Sequence, residues 1–151
     1  MLMPMDDVRI IDLTRYTAGP FCTHVLSDYG ADVIKIEQPG KGDPMREWGR
    51  EKPHGKSLWW PVIARNKMSI TLNARTPRGQ DLIRRLVEHA DILVENFRPG
   101  TMERWKLGYD ELSRINPRLV MIRVSGFGQT GPYRDYEGCD LVAHAVSGYM
   151  Y

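Results

Sequence analysis

Residues 10–21, Ile-Ile-Asp-Leu-Thr-Arg-Tyr-Thr-Ala-Gly-Pro-Phe, admit few structures. An apolar run over residues 8–13 gives way to polar residues, a Gly-Pro pair follows, and Phe21, Val25 and Leu26 then recur at helical spacing. That order reads as strand, turn and helix. Pro20 suits the first helical position, where its missing N–H has no partner to lose, and Gly19 lets the backbone turn sharply or sit close to a ligand. Open α/β sheets bind ligands in the crevice at the carboxyl ends of their strands, so Arg15 to Ala18 is predicted to lie at the mouth of a site.

The alternation continues down the chain. Gly30 stands where a helix C-cap is expected, and residues 33–37 form a β-branched run that reads as a second strand. Residues 69–72, 92–95 and 119–125 give the third, fourth and fifth strands. Ser57 precedes a short predicted helix over 58–65. Thr76 as N-cap and Pro77 as first residue open the clearest helix, whose stripe is Leu82, Ile83, Leu86, Val87 and Ala90. Short helices are predicted over 101–105 and 109–115, and a last apolar one over 140–151. Between the second strand and residue 57 runs a long aperiodic stretch rich in Gly, Pro and charge, of the kind that tends to be functional or mobile. Strands alternating with helices throughout predict an α/β fold: a Rossmann-like, mostly parallel sheet with helices on both faces.

Composition excludes several function classes. The 21 basic residues nearly balance 19 acidic ones, for a net charge of +2, which argues for neither a nucleic acid nor a membrane partner. Cys22 and Cys139 form no disulfide framework and have no metal-ligand spacing, so the expectation is a cytoplasmic protein without a metal. The first residues lack the basic and apolar regions of a signal peptide, and no apolar run approaches the ~20 residues that cross a bilayer.

Several motifs compete for the site. Glu37 at the end of the second strand sits where an acidic residue takes a ribose hydroxyl in dinucleotide folds, but the turn over 14–20 holds one glycine where the pyrophosphate fingerprint needs three. Gly126 to Gly131 lacks the Gly-Lys-Ser/Thr of a Walker loop. Asp140 and His144 share a helix face, as an acid–base dyad or as a solvated pair. Arg15, Arg75, Arg98 and Arg104 lie near predicted strand ends, with Lys41 and Arg46 in the long loop. Scattered surface charge is one explanation. The other is a phosphate-bearing ligand, because the guanidinium fork matches phosphate oxygens.

Taken together, Asp12-Leu13-Thr14 with Ala18-Gly19-Pro20, Gly30 to Glu37, Asn66-Lys67 with Ser69-Ile70, Val94 to Gly100, and Gly126-Phe127-Gly128 with Gly131-Pro132 resemble the family III CoA-transferases. That family includes formyl-CoA:oxalate CoA-transferase, and the α-methylacyl-CoA racemases are close relatives. The resemblance implies that Tyr16, Thr17 and Ala18 line a CoA cleft, that Leu72 and Arg75 lie near the adenosine and its phosphate, and that Asn96, Phe97 and Arg104 continue the wall, with Arg104 a phosphate partner. Gln38 stands where relatives often carry an arginine. Coenzyme A or acyl-CoA is then a substrate, a small carboxylic acid the second substrate, and no cofactor is tightly bound. The chemistry implied is nucleophilic catalysis by an aspartate through an aspartyl-CoA intermediate.

That aspartate lies beyond Tyr151 in the resemblance, and Asp140 matches a different acidic position that lines the site. The racemase branch carries a histidine where this chain has Cys139, and a thiol near pKa ~8.5 substitutes poorly for imidazole, so the transferase is favoured. The expectation is a truncated N-terminal CoA-binding domain over 1–151, without the second domain and return segment that make full-length relatives interlocked homodimers. Such a piece is expected to be inactive alone. A non-catalytic CoA- or nucleotide-binding module and a nicotinamide-dependent oxidoreductase domain remain as alternatives.

Overall fold

The computed structural model describes residues 2–150. Five strands, β1 (Arg9–Asp12), β2 (Asp32–Glu37), β3 (Lys67–Thr71), β4 (Ile92–Glu95) and β5 (Val120–Arg123), form one sheet in the order β3-β2-β1-β4-β5. Every neighbouring pair is parallel. The helices are α1 (Ala18–Asp28), α2 (Trp59–Ile63), α3 (Pro77–Val87), α4 (Thr101–Arg104), α5 (Tyr109–Ile115) and α6 (Asp140–Ser147). The chain moves outward from β1 to β3 and then returns to the other side of β1 for β4 and β5. That reversal opens a crevice between the carboxyl ends of β1 and β4, the usual ligand position in such sheets.

Strand alternation sends side chains to two different layers. Ile11, Leu13, Ile36 and Leu93 pack with Ile83 and Val87 of α3, Met102 of α4 and Leu112 of α5. Ile10, Val33 and Val94 face the opposite side, packed against Leu26 of α1. The α/β class and the two helical layers therefore follow the sequence pattern.

Helix α3 forms as its ends predict: Thr76 Oγ1 accepts the Gly79 N–H at 3.2 Å, and Pro77 occupies the first position. Helix α1 departs from expectation. It begins at Ala18, with Thr17 at the N-cap position making no side-chain cap, so Pro20 is its third residue, still within the turn whose N–H groups have no helical partner. Its buried positions are Gly19, Pro20, Thr23, His24 and Ser27, while Phe21 and Val25 are exposed.

The polar face of α1 is explained by what lies beneath it. Asp12 of β1 accepts from the Thr14 backbone N–H at 2.9 Å, from Thr23 Oγ1 at 2.6 Å and from Lys67 Nζ at 3.2 Å. Lys67 Nζ also donates to the Pro20 carbonyl and to Thr23 Oγ1, each at 2.7 Å. Burial pulls the Lys67 amine below its usual range, against the pull of Asp12 in the other direction. Lys35 of β2, 1% exposed, pairs with Asp43 at 2.9 Å and donates to the Thr14 carbonyl at 2.8 Å. This layer accounts for β3 starting at Lys67, two residues before the predicted start: the lysine is a strand residue pointing inward, which a polar identity conceals. Gly19 is required here, because a Cβ at that position would overlap the Thr14 side chain.

The long stretch after β2 is anchored. It holds two 3₁₀ turns, Pro44–Glu47 and Pro53–Gly55, with Met45 and Asp43 buried. Helix α6 stops at Ser147, short of the predicted 151, because Gly148 takes a left-handed φ of 79° and ends it. Tyr151 lies outside the described residues.

Asp12→Ala removes the carboxylate that Lys67 pairs with, a loss of about 3–5 kcal/mol for a buried pair broken on one side. For a chain of this size the expected fall in Tm, read by calorimetry, is at least about 6 °C.

Candidate functional site

A cavity of ≈ 460 Å³ sits in the crevice that the strand order predicts, at the carboxyl ends of β1 to β4. Each strand delivers residues to it through the turn that follows. Leu13 and Arg15 come from the end of β1, Glu37 and Gln38 from β2, Leu72 to Arg75 from β3, and Asn96, Phe97 and Arg98 from β4. Thr101, Arg104 and Trp105 close the wall from α4.

The turn after β3 is locked by its own polar groups. Asn73 Oδ1 accepts the Arg75 N–H at 3.1 Å, and the Asn73 carbonyl accepts from Thr76 Oγ1 at 2.9 Å. Gly79 is obligatory because a Cβ there would run into the Asn73 carbonyl. Arg75 is exposed on the rim and has no ion-pair partner among the described residues. Arg104, also exposed, donates to Thr101 Oγ1 at 2.8 Å and is otherwise free for a ligand.

The turn after β4 is held from behind. Buried Glu95 accepts the Phe97 N–H at 2.7 Å and Arg123 Nε at 2.7 Å, while Arg123 grips Glu103 at 2.7 and 3.1 Å. Burial raises the Glu95 carboxyl above its usual range in spite of Arg123. The Phe97 ring meets Trp105 edge-on, with centroids 5.0 Å apart, and carries the Arg15 guanidinium 5.5 Å from its centroid.

Of the residues proposed from sequence, Gln38, Leu72, Arg75, Asn96, Phe97 and Arg104 line this one cavity. Tyr16, Thr17 and Ala18 do not: the Tyr16 ring, at a residue with a left-handed φ of 65°, lies 6.0 Å from the Trp48 ring, Thr17 directly precedes α1, and Ala18 begins it. Asp140 sits on α6, 3.5 Å from His144, away from the cavity wall. Arg98 lines the cavity but is tied to Glu137, and Arg46 is spent on Glu37 and on the Trp60 face, 3.8 Å from its centroid. Leu13, Ile36, Asn73, Ala74, Thr101 and Trp105 were not anticipated, although most lie within a few residues of a predicted strand end.

Glu37 is not a free ribose acceptor. Burial works against its charge, but Arg46, Ser69 and the Asp43 N–H all bind the carboxylate and hold it down to about 2. The glycine-rich stretch after β5 is not a phosphate cradle either. Gly126 and Gly138 touch backbone to backbone, so the loop closes on itself around Phe127, Tyr133 and Tyr136. Among the described residues no cluster of His, Cys, Asp or Glu fits a metal ion, and no helix is long and apolar enough to cross a membrane.

Fold and site define a parallel α/β domain with a cation-rimmed cavity at its topological switch point. The family model of CoA-transferase family III matches residues 5–151, and the chain belongs to that family. It is 61% identical over 145 residues to a succinyl-CoA–D-citramalate CoA-transferase of Chloroflexus aurantiacus, covering 96% of this chain and 36% of the relative. It is 43% identical over 150 residues to the succinyl-CoA:glutarate CoA-transferase of Homo sapiens, covering 99% of this chain and 34% of that one. A CAIB/BAIF family protein from Brucella suis superposes with a TM-score of 0.92 at 39% identity, over 99% of this chain and 40% of the other. The chain thus spans little more than a third of the length of these relatives.

The Glu37 cluster sets an acid limit. A carboxyl held at about 2 against an ordinary 4.5 contributes stability that is complete above pH 4.5 and is lost as pH falls toward 2. Thermal melts across that window will show Glu37→Gln with a shallower loss of Tm on acidification than the unaltered chain.

Proposed function

We propose that this chain is the CoA-holding α/β part of an enzyme that moves CoA from an acyl-CoA donor to a carboxylic acid. The observation that carries this reading is the convergence of Gln38, Leu72, Arg75, Asn96, Phe97 and Arg104 on one cavity, in a chain of CoA-transferase family III. Arg75 and Arg104 meet the phosphates, where a guanidinium gives bidentate, charge-assisted hydrogen bonds. Leu72 and Phe97 offer apolar surface to the adenine. Tyr16, Thr17 and Ala18 follow Arg15 out of the cavity and guide the thioester arm toward the reacting centre.

In the reaction, an aspartate carboxylate attacks the donor thioester carbonyl, the C–S bond breaks, and CoA leaves as thiolate. The thiolate then attacks the aspartyl carbonyl of the resulting anhydride, releasing the donor acid and leaving an aspartyl-CoA thioester. The acceptor carboxylate repeats the two steps in reverse and restores the aspartate. Four acyl exchanges between activated partners replace one difficult exchange. The nucleophilic aspartate is not one of these 151 residues in this reading, and Asp140, which stands off the cavity wall, has no part in holding CoA.

The relatives' names pair succinyl-CoA with D-citramalate, L-malate or glutarate, so the donor class is a succinyl-type CoA thioester and the acceptor a dicarboxylic acid. The full-length enzyme works as a homodimer in the cytoplasm, a reducing setting that suits two free cysteines, and holds no resident cofactor. A racemase is disfavoured by Cys139 at the place of a histidine base.

Calorimetric titration with CoA and a chromatographic assay of CoA transfer from succinyl-CoA to a dicarboxylate test this together. The chain will bind CoA, Arg75→Ala and Arg104→Ala will each weaken binding about tenfold, near 1.4 kcal/mol, and no transfer will occur. Transfer by the chain alone contradicts the placement of the nucleophile, and NADH binding in place of CoA contradicts the whole reading.

A further inference from the structure

Among the described residues eight arginines are already committed to carboxylates: Arg9 to Asp32, Arg46 to Glu37, Arg65 to Asp28, Arg84 to Asp81, Arg98 to Glu137, Arg118 to Asp91, Arg134 to Asp135, and Arg123 to Glu95 and Glu103. Arg15 lines the cavity and has no ion-pair partner among the described residues; its guanidinium rests only on the Phe97 ring. Its backbone, in contrast, is heavily restrained. Asn96 Oδ1 accepts the Arg15 N–H at 2.8 Å, and Asn96 Nδ2 donates to the Arg15 carbonyl at 2.7 Å. On either side, Lys35 Nζ donates to the Thr14 carbonyl at 2.8 Å and Asp43 Oδ1 accepts the Tyr16 N–H at 3.3 Å. These four contacts hold a turn in which Tyr16 adopts a left-handed φ of 65°, a conformation that a bulky side chain disfavours.

From this arrangement we infer that Arg15 is an anion contact of the cavity and that Asn96 is a positioning residue acting through it. The inference rests on the CoA reading for the identity of the ligand, and its chemistry is recognition of phosphate oxygens. The Arg15 guanidinium carbon lies 5.5 Å from the Phe97 ring centroid, and none of the guanidinium N–H groups donates to a described residue, which leaves the fork available to take two phosphate oxygens at once. The side chain of Asn96 is turned to the Arg15 backbone on both its polar atoms. Its contribution to affinity is therefore the aim of Arg15, and Asn96 also keeps that aim against the strain at Tyr16.

The test is a coupling measurement. CoA, 3′-dephospho-CoA and inorganic pyrophosphate are titrated calorimetrically into the unaltered chain, Arg15→Gln, Arg15→Lys, Asn96→Ala and the Arg15→Gln/Asn96→Ala double variant, with thermal melts of each. Arg15→Gln is expected to weaken CoA binding at least tenfold, and Arg15→Lys to restore only part of it because the fork is lost. Asn96→Ala is expected to weaken binding severalfold, and the double variant to bind no worse than Arg15→Gln alone, within twofold. If Asn96→Ala does not fold, Asn96→Ser, which keeps a small polar side chain at this position, takes its place in the cycle. An equal loss on CoA and dephospho-CoA assigns Arg15 to the pyrophosphate, and a loss on CoA alone assigns it to the 3′-phosphate; both support the inference.

Unchanged CoA binding by Arg15→Gln overturns the inference and leaves the CoA reading standing. Multiplying losses in the double variant overturn the positioning role of Asn96. If the unaltered chain does not bind CoA, the CoA reading falls. Pyrophosphate binding that is lost in Arg15→Gln then still supports the anion contact, and its absence or persistence overturns it.

Discussion

Between the first helix and the sheet lies a layer of buried charge, and the geometry of the site is built on it. Asp12, Lys67 and Thr23 join β1, β3 and α1, while Lys35 and Asp43 join β2 to the long loop. Buried ions cost several kcal/mol each to desolvate, and good geometry with further hydrogen bonds is needed to offset that. Here each ammonium reaches a carboxylate and at least one carbonyl. An apolar layer of the same volume would fill the space as well. It would not, however, fix the Thr14 carbonyl and the Tyr16 amide, which set the direction of the turn leading into the cavity.

The same layer explains which parts of the fold were legible in the amino-acid sequence. Residues 92–95 and the stripe of α3 could be read directly, because an apolar strand and a one-sided helix carry their period openly. The start of β3 and the buried face of α1 could not. There the inward residues are Lys67, Thr23, His24 and Ser27, and a pattern sought in apolar side chains passes over them. The exposed Phe21 and Val25 misled in the opposite sense. The apolar pattern of residues 140–151 runs on without a break, whereas Gly148 ends the helix through backbone conformation alone.

Much of the candidate site was legible for a different reason. In a parallel sheet the ligand-facing residues come directly after the strands, so finding the strands brought Arg15, Gln38, Arg75, Asn96 and Arg98 to the rim. What adjacency in the chain does not reveal is direction. Tyr16 to Ala18 follow β1 as closely as Arg15 does, yet the left-handed turn at Tyr16 directs them to Trp48 and α1. Nor does sequence separate a committed arginine from a free one. Arg46, Arg75, Arg98 and Arg104 look alike as letters, and only their carboxylate neighbours, Glu37 and Glu137, distinguish them.

The proposed function requires one crevice to select a phosphate-bearing ligand through unpaired guanidinium groups. An amide-resolved NMR titration of the chain with CoA examines that most directly. The account predicts saturable shifts concentrated in residues 13–15, 72–75 and 96–105, with α6 unmoved. Shifts absent from those three turns, or gathered instead on α6 and the loop after β5, would contradict it.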